Sequence, residues 1–382
     1  MNYLSIDLYN DFECIAGNCP NTCCAGWGII IDEDTRQKMV EKEAVLGVPA
    51  KDWLKDVNGT TFVKLAGHKC SMLNENNLCN VVLKLGPEYL SKTCQQYPRL
   101  LVKYGNVIEI NMSMSCPEVI SKLMDKECVQ FDFSNDDAKE EPYEHTKLYL
   151  FESSVRAAMV DIVDGFRNVS LETRLYAVYK ILEKAIEYFK KNELDYNTFC
   201  QEIALYYQEN VLLSFEQQMK GVVNENSRLR FLKELQTVLG SIEAYGEYKE
   251  MLSDSIQYYQ ACEYDDYIRH LDAFRNVTAA YEQFYTNYWV SHIFADAMSI
   301  PNYEEARSKY IYIAAEFGII QTIALAIFVK NGMKLSCEEY ILIISQICRT
   351  MEHGVPFRKK LTELLNQNNA ISAAGLLLMI LK

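Results

Sequence analysis

A chain of 382 residues, 49% apolar and 12% aromatic, is long enough for two or three domains and has a globular composition, which excludes extended disorder. Its formal net charge of −14 is uneven: residues 1–128 hold 13 basic and 16 acidic side chains, a balance of −3 that leaves −11 for the remainder. An acidic surface repels a phosphate backbone, so nucleic acid is excluded as the expected partner.

At the amino terminus, MNYLSIDLYNDFEC carries Asp7 and Asp11 in place of an apolar run and has no basic region before it. It is not a secretory leader, so a cytoplasmic protein with reduced thiols is expected. Eight of the thirteen cysteines then fall in the first third: Cys14, Cys19, Cys23, Cys24, Cys70, Cys79, Cys94 and Cys116. In a reducing compartment such a pool favours metal or iron-sulfur ligation over disulfides. The later cysteines, Cys128, Cys200, Cys262, Cys337 and Cys348, sit singly among apolar or helical residues and are expected to be small buried hydrophobes.

The spacing narrows the chemistry. Zinc ribbons and fingers present C-x-x-C knuckles, because one tight turn then gives two thiolates to a tetrahedral ion. No C-x-x-C occurs here, and Cys23 and Cys24 are adjacent. Neighbouring side chains diverge, so such a pair suits a larger cluster, two sites, or one ligand beside a structural thiol. That favours an iron-sulfur cluster, 4Fe-4S on four cysteines, over zinc, and eight thiols suffice for one cluster with spares or for two. Within the same region Trp27, between Gly26 and Gly28, is expected to lid a cysteine-rich core. Arg99 is expected in a structural salt bridge, and His68 as a solvent-facing loop residue.

VVLKLG (Val81–Gly86) and NVIEINMSM (Asn106–Met114) alternate as short strands do. Phe133–Pro142 is polar and charged and reads as the boundary between a domain at 1–132 and another at 143–382. Beyond it helical periodicity takes over: Leu148, Phe151, Val155, Ala158 and Ile162, then Leu171 to Phe189 behind Ser170 as N-cap. Tyr310–Val329 approaches the length of a bilayer span, but Glu316, Gly318 and Gln321 make it a buried central helix. Ser336 and Glu339 have capping-box spacing before another helix, and Ile371–Leu381 reads as a docked terminal helix. The expected fold is therefore mainly α: an irregular cysteine-rich metal-binding domain with a few short strands, followed by an all-α domain. His145, His270, His292 and His353 are isolated in the sequence and are read as background.

CIAGNCPNTCCAGWGIIID (Cys14–Asp32), KCSMLNENNLCNVVLKLGPEYLSKTCQQYPRL (Lys69–Leu100) and SMSCPEVI (Ser113–Ile120) together resemble the signature of the flagellin lysine-N-methylase family. That family belongs with proteins that carry a cysteine-rich zinc- or iron-chelating domain. The likeness covers residues 12–120 and includes Trp27, Leu78-Cys79, Tyr97-Pro98-Arg99 and Ser115-Cys116-Pro117; NYWVSHIF (Asn287–Phe294) is similar to an aromatic stretch in the family's carboxyl half. The resemblance implies methyl transfer from S-adenosylmethionine to lysine ε-amino groups of flagellin, with the cysteines holding iron-sulfur or zinc.

No glycine-rich strand-to-helix loop and no C-x-x-x-C-x-x-C triplet supplies a familiar cofactor site; Cys14, Cys19 and Cys23 are one residue too long at each step. Catalytic and donor-binding residues are thus left unassigned. Lysine methylation needs a neutral amine, and tyrosines with carboxylates in a narrow pocket would supply one. Tyr258, Tyr259, Tyr264, Tyr267, Tyr281, Tyr285 and Tyr288 are available but read first as helix surface and core rim. A non-enzymatic metal-binding adaptor and an iron-sulfur redox protein remain the alternatives.

Overall fold

The structure, a computed structural model, describes residues 2–135, 146–191, 194–222, 224–242, 246–296 and 303–367. Most of the predicted boundary segment and the predicted terminal helix at Ile371–Leu381 lie outside those residues, as does His145.

The amino-terminal half builds a four-stranded sheet in the order Arg99–Tyr104, Val107–Met112, Asn2–Ile6, Phe131–Asn135. Asn2–Ile6 pairs parallel with Val107–Met112 and antiparallel with Phe131–Asn135. The strand expected in Asn106–Met114 is present, and Gly105, at φ +58°, makes the short turn that returns it along Arg99–Tyr104. A smaller three-stranded sheet joins Ile30–Ile31, Thr60–Val63 and Leu54–Val57.

Val81–Gly86 is not a strand. Asn80–Leu85 forms a helix in which Val81 and Leu85, four residues apart, pack on the small core while Leu83 is 57% exposed. A strand of period two would place Leu83 on the same face as Val81 and Leu85. Helical period 3.6 removes that conflict, and Gly86, at φ +105°, lies just beyond the helix end.

The carboxyl half is helical. Thr146–Gly165 and Leu171–Lys190 lie where the periodicity puts them, and the Ser170 side chain accepts from the Thr173 N–H as N-cap. The capping box of Ser336 and Glu339 opens Cys337–His353. Tyr303–Lys330, 28 residues long, is the one described helix long and apolar enough to cross a bilayer, and 83% of its most apolar stretch is buried inside the protein. It is the central helix of the α-helical body, as its interruptions by Glu316 and Gln321 predict.

Two cores result. The larger joins the sheet and the helices: Ile6, Met112 and Ile120 share it with Val155, Ile320 and Ile344. The smaller is gathered around Trp53, with Ile29, Ile31, Met39, Val63, Cys70 and Val81. A buried ion pair links sheet to helices. Arg156 donates to both Glu109 oxygens, at 2.7 and 2.5 Å, and to the Phe294 carbonyl at 2.6 Å, while the Tyr149 hydroxyl donates to Glu109 at 2.8 Å.

Candidate functional site

Short loops and helix starts, rather than regular strands, hold the cysteines. After Cys14 the chain enters a tight turn, where the Ala16 N–H donates to Cys14 Sγ at 3.4 Å and the Cys19 N–H to the Ala16 carbonyl at 3.1 Å. The Cys70 N–H donates to the Cys24 carbonyl at 2.7 Å, which lays those two segments side by side. The Met72 N–H turns back to Cys70 Sγ at 3.4 Å, and Leu73 bridges to Cys79. Cys94 sits in the first turn of Lys92–Gln96, its N–H capped by the Ser91 hydroxyl. Cys116 is the N-cap residue of Pro117–Met124.

These elements place all eight predicted cysteines on one cavity of about 490 Å³, together with Trp27, Tyr97 and Arg99. All are free thiols, and among the described residues no three His, Cys, Asp or Glu side chains converge closely enough to hold a single metal ion. Tetrahedral zinc, at about 2.3 Å from each sulfur, would need them within roughly 4 Å of one another. A polynuclear cluster takes four thiolates at wider spacing, and eight thiols on one cavity are donors that either group accepts. The N–H groups aimed at Cys14 and Cys70 are the kind of donors that stabilise thiolate charge in such a site.

Burial pushes the thiols up, Cys70 and Cys116 to about 12, Cys94 to about 11, and Cys19 and Cys79 in the same direction. Cys23 and Cys24 share a thiol hydrogen bond that holds Cys24 down, to about 7, and pushes Cys23 up. Most of the pool is therefore protonated at neutral pH until a cation displaces the protons, and loading should release acid.

The amino-terminal turn is clamped from the far end of the chain. Arg349, in Cys337–His353, donates to the Asn21 side-chain oxygen at 2.6 Å and to the carbonyls of Asn21, Thr22 and Ser115 at 2.8, 3.0 and 3.3 Å. Asn21 in turn donates to the Ser345 hydroxyl at 2.9 Å. Gly26, at φ +83°, lets the chain pass close to Arg349, whose Cδ lies 3.5 Å from where a Cβ would stand.

Trp27 packs on the small core as expected, and its Nε1 donates to the Cys23 carbonyl at 2.7 Å. Its outer face carries His353, stacked at 4.6 Å. His353 Nε2 lies 3.0 Å from the Ser115 hydroxyl, which is 3.0 Å from Tyr97 Oη and 2.5 Å from the Ser113 hydroxyl; Ser113 donates to Glu352. His353 and Arg349 were not legible as site residues. They lie more than 220 residues from the nearest cysteine of the pool, Cys116, and no local motif marks them.

Burial, and then the neighbouring Arg349 charge, lower His353 to about 4. An unfolded histidine near 6.5 binds protons that the folded one refuses, so this contribution is complete above pH 6.5 and disappears as pH falls towards 4. The swing is about 3 kcal/mol at 1.36 kcal/mol per unit. Melting of wild type and His353→Phe, which keeps a stacking ring, should converge between pH 7 and pH 4; parallel curves would rule this out.

Two expectations need correction. Arg99 lies over the rings of Tyr9 and Phe12, at 5.6 and 5.3 Å, rather than in the expected salt bridge; aromatic faces crowd it where a carboxylate was expected. Cys337 is exposed and Cys128 and Cys200 only half-buried, whereas Cys262 and Cys348 are buried as predicted. Cys337 opens a helix at the surface, which explains its exposure.

A second cavity, of about 470 Å³, lies within the helical body. Glu172, Glu225 and Glu282, Arg228 and Arg275, and the phenols of Tyr259, Tyr267 and Tyr285 line it. Burial raises Tyr267 to about 12 and raises Tyr259 and Tyr285 as well, so all three phenols stay protonated at neutral pH. Glu225 is paired with Arg228 at 2.5 Å and Arg275 at 3.4 Å.

No solved structure matches the chain. The flagellar biosynthetic protein FliU of Salmonella muenchen is 35% identical over 120 residues, 30% of this chain and 71% of that protein. The lysine-N-methylases of Salmonella typhimurium and Salmonella choleraesuis are each 30% identical over 195 residues, 47% of this chain, and the match spans 46% of their own length. The family model for the FliB lysine N-methylase C-terminal domain matches residues 156–379, more than half of the chain and the whole lining of the helical cavity. The chain belongs to the FliB lysine N-methylase family.

Proposed function

We propose that this protein is a cytoplasmic protein-lysine N-methyltransferase that takes its methyl group from S-adenosylmethionine, acts on flagellin, and carries iron-sulfur on its cysteine cavity. The observation that carries the reading is the helical cavity, which combines carboxylates with protonated phenols inside the region that matches the methylase family. A lysine amine, ordinarily charged up to about pH 10.4, must shed its proton before its lone pair can attack a methyl group. Bound S-adenosylmethionine would supply that methyl as an electrophile on sulfonium. The faces of Tyr259, Tyr267 and Tyr285 suit a cationic amine or sulfonium, and their hydroxyls can donate but not accept a proton at neutral pH. Arg228 and Arg275 already engage Glu225, which leaves Glu172 and Glu282, and we assign proton acceptance to Glu282, one helical turn before Tyr285 on the same helix.

In the cysteine cavity, Cys14, Cys19, Cys23, Cys24, Cys70, Cys79, Cys94 and Cys116 form the ligand pool, and bound iron-sulfur would supply either a rigid staple or electron transfer there. The test is transfer of labelled methyl to flagellin by anaerobically prepared protein. Wild type should label lysine, and Glu282→Gln should lower the rate about 10²–10⁴-fold with unchanged melting. Full activity in the variant would remove Glu282 from the chemistry. A wild-type protein that neither binds S-adenosylmethionine nor labels lysine, yet cycles reversibly between redox states, would favour an iron-sulfur redox protein.

A further inference from the structure

The charges of the helical cavity fall into two groups of opposite balance. In the first, the helix Glu225–Gly240 supplies Glu225 and Arg228, and the helix Tyr264–Thr278 supplies Tyr267 and Arg275, so two guanidinium groups share one cavity-lining carboxylate. In the second, Glu172 stands in the first turn of Leu171–Lys190 and Glu282 in that of Glu282–Asp296. Neighbouring charges follow the same division. Tyr267 feels Arg228, Glu225 and Arg275, whereas Arg174, two residues beyond Glu172, feels Glu282 and Glu172. Arg174 offsets only one of that pair, and its own hydrogen bonds go to the Val163 carbonyl and the Thr286 hydroxyl.

The arginine group is not satisfied from within the chain. Arg228 is 2% exposed; its Nη1 donates to Glu225 at 2.5 Å, and its Nε has no partner among the described residues. A buried N–H without an acceptor calls for a water or a ligand. Arg275 reaches Glu225 and the exposed Asp272 only at 3.4 Å each, long for charge-assisted bonds, which run at about 2.7–2.9 Å. A carboxylate suits such a pair, because its two oxygens match the N–H fork of a guanidinium and a second negative charge in the cavity balances the second arginine. Leu232, Leu271, Phe274 and Phe317 give the lining an apolar part, and about 470 Å³ lies within the range of small-molecule sites, about 300–1,000 Å³.

We propose that Arg228 and Arg275 form a carboxylate subsite in the helical cavity, which thereby takes an α-amino-acid group, its carboxylate on the two arginines and its cationic end towards Glu172 and Glu282. A ligand anchored in this way is oriented by the two opposite charge balances, and its apolar part rests on the leucines and phenylalanines. Reading the amino acid as the methionyl end of S-adenosylmethionine rests on the methyl-transfer role proposed for this cavity; a free amino acid is the other source of the same group. In the first case the anchored carboxylate turns the sulfonium towards the tyrosine faces and Glu282.

Full-length wild type, Arg275→Gln and Arg228→Met are titrated calorimetrically with S-adenosylmethionine, with its decarboxylated analogue, which lacks only the carboxylate, and with methionine, and melting is recorded for each protein. Arg275, with its side chain 38% exposed, is the position where substitution should leave the fold intact, and it decides alone if Arg228→Met does not fold. Wild type should bind S-adenosylmethionine about 10–100-fold more tightly than the analogue. Arg275→Gln should lose most of that preference while binding the analogue as wild type does. Methionine binding that Arg275→Gln weakens, with no binding of S-adenosylmethionine, would keep the carboxylate subsite and overturn the donor reading of the cavity. Equal binding of S-adenosylmethionine and its analogue by wild type would overturn the subsite and leave the donor reading standing. A preference for the carboxylate that Arg275→Gln leaves untouched would place its recognition elsewhere and overturn the subsite, as would a wild type that binds none of the three.

Discussion

Replacing Glu109 by glutamine is expected to destabilise the protein by about 3–5 kcal/mol, because it leaves a guanidinium buried without its counter-charge. Arg156 and Glu109 are 7% and 5% exposed, and the two oxygens of Glu109 receive both Arg156 nitrogens and the Tyr149 hydroxyl. Glutamine offers one carbonyl and turns an N–H₂ towards a cation, so repulsion replaces attraction on one arm of the fork. The strand that carries Glu109 lies between Asn2–Ile6 and Arg99–Tyr104, and Arg156 is also bonded to Phe294; loosening this joint therefore loosens the sheet from the helices. The double variant Glu109→Leu with Arg156→Met should be less damaging than Glu109→Gln alone, since a packed apolar pair removes the desolvation cost that the single change exposes. Thermal melting at fixed metal content checks both. A loss below about 1 kcal/mol in the single variant would mean that water reaches the pair.

How much of this was legible in the sequence depends on the range of the interaction. Ser170 and the Ser336–Glu339 box mark helix starts because capping is satisfied within three residues. The buried reading of Tyr303–Lys330 follows from composition alone, as does the mainly α fold. The cysteines were legible as one group because they crowd turn positions in the first third of the chain, and the cavity gathers every one, although Cys70 and Cys116 also fill core positions. Asn80–Leu85 misled because VVLKLG fits both periods, and only the exposure of Leu83 decides between them. Which core a thiol joins was not legible, since Cys116 and Cys70 are buried in two different cores formed by residues far apart in the chain. The lining of the helical cavity was half visible: Tyr259, Tyr267 and Tyr285 stand out as tyrosines, but the carboxylates that face them come from three helices.

Replacing Arg349 by methionine is the change expected to couple stability and metal retention most directly. The side chain is 5% exposed and serves five oxygens, on Asn21, Thr22, Ala25 and Ser115. Hydrogen bonds to a charged donor contribute about 1.5–3 kcal/mol each, and methionine would leave the buried acceptors on Asn21 and Ser115 unsatisfied while filling most of the volume. A loss of about 3 kcal/mol or more in stability is expected on that ground. Those acceptors lie in the turn between Cys19 and Cys23 and beside Cys116, so the loss falls on the proposed ligand loop itself; with iron in the cavity as proposed, that iron should pass to an external chelator at least tenfold faster than from wild type. Arg349→Lys separates charge from shape. An ammonium keeps the positive charge near Cys19 and Cys24 but cannot reach Asn21 and Ser115 through one planar fork, so it should recover only part of the retention. Arg358→Met, whose guanidinium lies over the Tyr312 ring, removes a cation on the neighbouring helix without touching the loop and should leave iron loss unchanged. If Arg349→Met loses stability but holds iron as wild type does, the thiol-metal bonds alone fix the loop. The helical body would then be coupled to the cysteine loops through the Trp27–His353 stack rather than through the clamp.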